Sequence, residues 1–108
     1  MSKSKTISGT MAADGDTRIA VIVGRFNSFI VDQLQVACLE TLDRCGVAEK
    51  DITLVKVPGA FEMPVAAKKL ATDGKFDAVI ALGAVIRGST PQFEYVSGTC
   101  ASGLSAVA

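Results

Sequence analysis

Arg18-Ile19-Ala20-Val21-Ile22-Val23-Gly24 is a short apolar run closed by a glycine. Its hydrophobicity is continuous, where a half-solvated strand would alternate, and this marks a strand covered on both faces, as in a parallel sheet. Ahead of it, residues 1–17 are polar, with only a weak strand signal at Thr6-Ile7-Ser8, and are expected to form an arm outside the core. Downstream, Asn27 suits the N-cap of a segment in which Ile30, Leu34, Ala37, Cys38, Leu42 and Cys45 recur at helical spacing. Gly46 stands where a C′ glycine ends such a helix.

The same alternation continues. Ile52-Thr53-Leu54-Val55-Lys56-Val57 reads as a second strand, stopped by Pro58-Gly59. A second helix is expected over residues 62–71, with Pro64 tolerated in its first turn and Thr72-Asp73-Gly74 ending it. Ala78-Val79-Ile80-Ala81-Leu82-Gly83 reads as a third buried strand. Residues 84–90 then form a loop before a third helix, with Thr90 as N-cap and Pro91 at its first position. The order β-α-β-α-β-α with short connections predicts an α/β fold: a parallel sheet with right-handed crossovers and helices on both faces.

A length of 108 residues allows one domain, and 49% hydrophobic residues suit a chain that buries a core. Eleven basic and eleven acidic side chains cancel, so the basic excess of a nucleic-acid surface is missing. The chain has no histidine, which excludes Ser-His-Asp and Cys-His pairs, imidazole metal sites and an imidazole base. Cys38, Cys45 and Cys100 are odd in number and lack CxxC spacing, which argues against a disulfide scaffold or a zinc site. Two helical turns apart, Cys38 and Cys45 read as small core residues. No apolar signal segment follows Met1-Ser2-Lys3-Ser4-Lys5, and no run approaches the roughly 18 apolar residues of a membrane span. The chain is expected to be soluble and cytoplasmic, with neither nucleic acid nor membrane as partner.

In open α/β sheets, ligands bind outside the carboxyl ends of the strands. The chemically distinctive residues lie there: Gly24-Arg25-Phe26-Asn27 after the first strand, Pro58-Gly59-Ala60-Phe61-Glu62 after the second, and residues 83–90 after the third. Together they offer two aromatic rings, one carboxylate, two guanidinium groups and a Gly-Ser-Thr turn at a helix N-terminus. Free N–H groups and the helix dipole favour an anion at such a turn. The set suits a planar heterocycle plus a small phosphate. Each part also has a structural reading: Phe26 and Phe61 as plugs of the sheet edge, Gly88-Ser89-Thr90-Pro91 as a turn and cap, Glu62 as a solvated first-turn carboxylate. Neither GxGxxG after the first strand nor GxxxxGK[ST] occurs, so a standard dinucleotide or nucleoside triphosphate site is not supported.

Arg25-Phe26-Asn27, Val57-Pro58-Gly59-Ala60-Phe61-Glu62-Met63-Pro64, Ala81-Leu82-Gly83-Ala84-Val85-Ile86-Arg87-Gly88-Ser89-Thr90-Pro91 and Phe93-Glu94-Tyr95-Val96 resemble the 6,7-dimethyl-8-ribityllumazine synthase family in order and spacing. The resemblance covers nearly all of residues 18–108, which it implies are a lumazine synthase-like domain. The implied fold is flavodoxin-like, a three-layer α/β/α domain, assembled as pentamers and in some members as icosahedral shells. The implied activity is a transferase of riboflavin biosynthesis. It condenses 5-amino-6-(D-ribitylamino)uracil with 3,4-dihydroxy-2-butanone 4-phosphate, with no metal or other cofactor. By that resemblance Phe26 stacks on the pyrimidine, while Ala60, Phe61 and Glu62 hold the ribityl chain and nearby groups. Ala84, Val85 and Ile86 contact the pyrimidine edge through their backbone, and Ser89 and Thr90 take the butanone phosphate.

Two departures accompany the resemblance. Gln92 stands where the family has its proton-transfer histidine, and an amide cannot exchange protons near neutral pH, so that assistance, about 10²–10⁴-fold, is lost. Gln92 also completes Ser89-x-x-Gln92, the spacing of a capping box. The family further continues with another core strand, helices and a basic residue of the phosphate site, whereas this sequence stops at Ser105-Ala106-Val107-Ala108. A domain lacking its last strand and helices is therefore expected, with the strand at 78–83 left as an apolar edge. The expected activity is lumazine synthase; a non-catalytic ribityl-pyrimidine or flavin binder, an assembly relative or an inactive fragment is the alternative.

Overall fold

Every residue of the strand Ile19–Gly24 (β1) is buried, because neighbours cover it on both edges and helices on both faces. The structure, a computed structural model, describes residues 4–89 and 91–108. Beyond β1 they form α1 (Ser28–Arg44), β2 (Ile52–Val57), α2 (Met63–Asp73), β3 (Ala78–Leu82) and α3 (Gln92–Val107). Single 3₁₀ turns at Glu49–Asp51 and Ala60–Glu62 lead into β2 and α2.

The three strands are parallel in the order β2-β1-β3, so the fold is α/β and of the flavodoxin-like kind. In register, Ile19 stands beside Ile52 and Ala78, and Val23 beside Lys56 and Leu82. Successive β1 side chains point to opposite faces. Ile19, Val21 and Val23 meet Val31 of α1, with Cys38 and Leu42 packed around them. Ile22 faces the other layer, against Met63 and Ala67 of α2, with Cys100 and Leu104 of α3 alongside. Full burial of side chains such as Val21, Ile22 and Val23 is worth about 1.5–3 kcal/mol each.

Helix ends follow local chemistry. Gly46 at φ 90° and Val47 close α1 in a Schellman motif, donating to the carbonyls of Asp43 and Leu42 at 3.0 Å each. The second helix runs two residues beyond the expected 71. The Thr72 hydroxyl donates to the Lys68 carbonyl at 2.7 Å within the helical turn, and Gly74 at φ 69° provides the left-handed stop. Pro64 lies in the first turn, as expected.

Three expectations are corrected. β3 is not buried throughout but partly exposed along its length; paired only with β1 among the described residues, it is the sheet edge expected of residues 78–83. Asn27 is the N-cap of α1, but its side chain makes no cap bond and is engaged elsewhere. The third helix begins at Gln92 with Pro91 as N-cap, one residue later than expected, and shows no capping box between Ser89 and Gln92. The expected N-cap, Thr90, lies outside the described residues.

The opposite rim of the sheet is clamped. The Arg18 amide donates to Asp77 Oδ2, and the Asp77 amide donates to the Arg18 carbonyl, both at 2.8 Å. Against the expectation that residues 1–17 stay outside the core, Ala13 packs on its α1 side and donates its amide to the Cys45 carbonyl at 2.7 Å. Among the described residues, no helix is long and apolar enough to cross a membrane.

Candidate functional site

The carboxyl ends of β1, β2 and β3 come out on one rim because the strands are parallel, and hydrogen bonds stitch their loops together. The amides of Arg25 and Phe26 donate to the carbonyls of Val57 and Pro58 at 2.8 and 3.0 Å, extending the β1–β2 pairing past the sheet. On the other side, Asn27 Nδ2 donates to the Ala84 carbonyl at 2.8 Å. Beneath the loops lies Met63, whose Cε would be 3.1 Å from a Cβ on Gly24 and 2.7 Å from one on Gly83. Glycine at both strand ends lets the first side chain of α2 fill the space under the rim.

Above Met63 the loops enclose a cleft of about 400 Å³, within the size range of small-molecule sites. Phe26 lines it from the first loop, Ala60, Phe61 and Glu62 from the second, and Ala84, Val85 and Ile86 from the third, with Gln92 contributed by α3. Phe26 and Phe61 are 71% and 56% exposed, so neither ring is sealed into the core. Glu62 is the one ionisable side chain among the described residues lining the cleft. Its N–H donates to the Gly59 carbonyl at 3.3 Å, closing the 3₁₀ turn that presents it.

Ser89 is exposed just before α3 and is not among the lining residues; Thr90 lies outside the described residues. Two expected contributors do not line the cleft. Arg87 pairs with Glu94 on the first turn of α3, and its guanidinium lies 4.6 Å from the centroid of the Phe93 ring. The other is Arg25. Asn27 from the first rim loop and Gly88 from the expected anion-binding turn also line the cleft, together with Phe93 and Val96, to which the sequence assigns no site role. Helical spacing offered a signal for the last two: positions 92, 93 and 96 share one face of a helix beginning at 92. The sequence commits the Asn27 side chain to a cap. Among the described residues no group of three Cys, Asp or Glu side chains is disposed to hold a metal ion.

A protein-family model for 6,7-dimethyl-8-ribityllumazine synthase matches residues 16–108. The chain belongs to that family. Its parallel sheet and the three loops on the carboxyl rim are thus the lumazine synthase framework. At family level this connects the chain to riboflavin biosynthesis. The match takes in every rim loop, and with them Gln92 at the mouth of α3.

Proposed function

We propose that the cleft is a lumazine synthase site, condensing 5-amino-6-(D-ribitylamino)uracil with 3,4-dihydroxy-2-butanone 4-phosphate. One observation carries this reading: two exposed phenyl rings, one carboxylate and the backbone of residues 84–86 converge on a single cleft beside the N-terminus of a 16-residue helix. In the proposal Phe26 stacks on the pyrimidine, and Ala60, Phe61 and Glu62 hold the polyol side chain. The peptide groups of Ala84, Val85 and Ile86 read the pyrimidine edge. Ser89 and Thr90 take the phosphate, aided by the unpaired N–H groups and positive dipole end of α3.

The amine and the ketone condense with loss of water, phosphate leaves as inorganic phosphate, and the second amine closes the ring with loss of another water; holding the partners together supplies much of the rate. Glu62 is the only lining side chain among the described residues able to exchange a proton, and Gln92 offers an amide in place of the family's imidazole. The proposed catalyst therefore works mainly by positioning. Exposed Phe29, Val36, Val65 and Tyr95 supply apolar surface for the homo-oligomer, pentamer or larger, that accompanies this reading.

The test is to mix both substrates with the purified protein, follow the lumazine by absorbance and subtract the uncatalysed rate. Product above background is expected. Lumazine binding without excess product would favour the second reading, a non-catalytic binder, to which Gln92 lends support.

A further inference from the structure

Asn27 is the one non-glycine residue among the described residues with a positive φ, at φ 60° and ψ 43°. Asparagine tolerates this left-handed region better than most side chains. The conformation gives backbone and side chain separate tasks. The Asn27 carbonyl accepts from the amides of Ile30 and Val31 at 3.0 and 3.1 Å and so starts α1. The carboxamide leaves the helix and reaches the Ala84 carbonyl, 57 residues away in sequence, in a half-buried setting. Among the described residues this is the one hydrogen bond made by the backbone of residues 84–89, a segment with no helix or strand of its own.

We infer that Asn27 is a positioning residue for the cleft, its carboxamide holding the Ala84 carbonyl so that the peptide groups of Val85 and Ile86 keep a set place opposite Phe26. In naming a ligand, the inference rests on the ribityl-pyrimidine reading above. A segment already held loses less freedom when a ring docks against it, which strengthens binding without a new contact. The position needs a residue that accepts φ near 60° and also donates. Aspartate has the shape, but its carboxylate only accepts and would face a carbonyl oxygen. Glycine takes the conformation freely but has no side chain.

Asn27→Gly and Asn27→Asp therefore cut the cross-link while sparing the start of α1. Trypsin cleaves after Arg87, inside the held segment, and after Lys75, an exposed position at the other end of β3. In both variants cleavage after Arg87 is expected to rise about tenfold, with cleavage after Lys75 unchanged, as loss of one hydrogen bond implies. The dissociation constant for 6,7-dimethyl-8-ribityllumazine is expected to rise about tenfold as well. Unchanged cleavage after Arg87, or equal acceleration at Lys75 in both variants, overturns the inference. Faster cleavage with undiminished lumazine affinity overturns the positioning role. If the unaltered protein binds no lumazine, the ribityl-pyrimidine reading fails instead, and the cleavage rates still decide whether Asn27 holds the segment.

Discussion

Gly103 of α3 lies directly on the Pro64 ring of α2: a Cβ at position 103 would stand 2.5 Å from Pro64 Cγ and 2.7 Å from Pro64 Cβ. A proline ring cannot swing aside, so the two helices approach this closely only because residue 103 has no side chain. Gly98, on the same helix, has nothing within 4 Å of its own Cβ position. The same substitution should therefore act with opposite sign. Gly103→Ala gains up to about 1 kcal/mol of helix propensity but overpacks a rigid contact, for a net loss of about 1–2 kcal/mol. Gly98→Ala should stabilise by about 0.5–1 kcal/mol. Thermal unfolding of both variants checks the pair; equal shifts would contradict the packing described.

Truncating the exposed rings should separate binding from stability. Phe26→Ala and Phe61→Ala remove surface that the folded chain leaves largely in solvent, so unfolding free energy should change by no more than about 0.5 kcal/mol. Lumazine affinity should fall by roughly ten- to a hundredfold, the scale of losing an aromatic stacking partner. Titration by fluorescence beside a denaturation curve makes the comparison.

Position 92 offers a gain of function. Gln92 lines the cleft from the start of α3, and Gln92→His would place an imidazole there. The condensation rate should rise by about 10²–10⁴-fold and acquire a pH dependence centred near the imidazole pKa of about 6.5. A folded, lumazine-binding variant with an unchanged rate would remove position 92 from the proton-transfer step.

Two thiols contribute to a loss of stability at alkaline pH. Burial pushes the Cys38 and Cys100 thiols up from the ordinary 9.0, because the thiolate is the form that desolvation penalises. Above that ordinary value the unfolded chain sheds protons that the folded chain keeps, so it binds fewer and stability falls as pH rises. The contribution is intact below the ordinary thiol pKa and is lost as pH climbs through the raised one. Denaturant midpoints followed from neutral pH past 9.0 should decline, and the decline should be shallower in the Cys38→Ala, Cys100→Ala double variant.

Much of this architecture could be read from local pattern. The unbroken apolarity of residues 19–23 can be satisfied only with cover on both faces, which makes that strand central, as observed for β1. Gly46 and Gly74 announce helix ends because the left-handed turn that closes a helix costs glycine little, and both have positive φ. Parallel alternation brings three strand ends to one rim, so the sequence alone brings together the loops that line the cleft.

What local pattern leaves open is which partner a polar group or a gap finds once distant segments meet. The Asn27 amide could cap its own helix or cross to Ala84, and only the packed loops put that carbonyl at 2.8 Å. Arg87 could face an anion at the rim, yet the first turn of α3 offers it Glu94 and the face of Phe93. The burial of β3 depended on what lies beside it, which composition does not carry. Gly103 looks like any weak helix residue until Pro64 is found against it. Periodicity is a property of neighbours along the chain and sets the elements; contacts between residues dozens of positions apart depend on how those elements pack, and they decide the shape of the cleft.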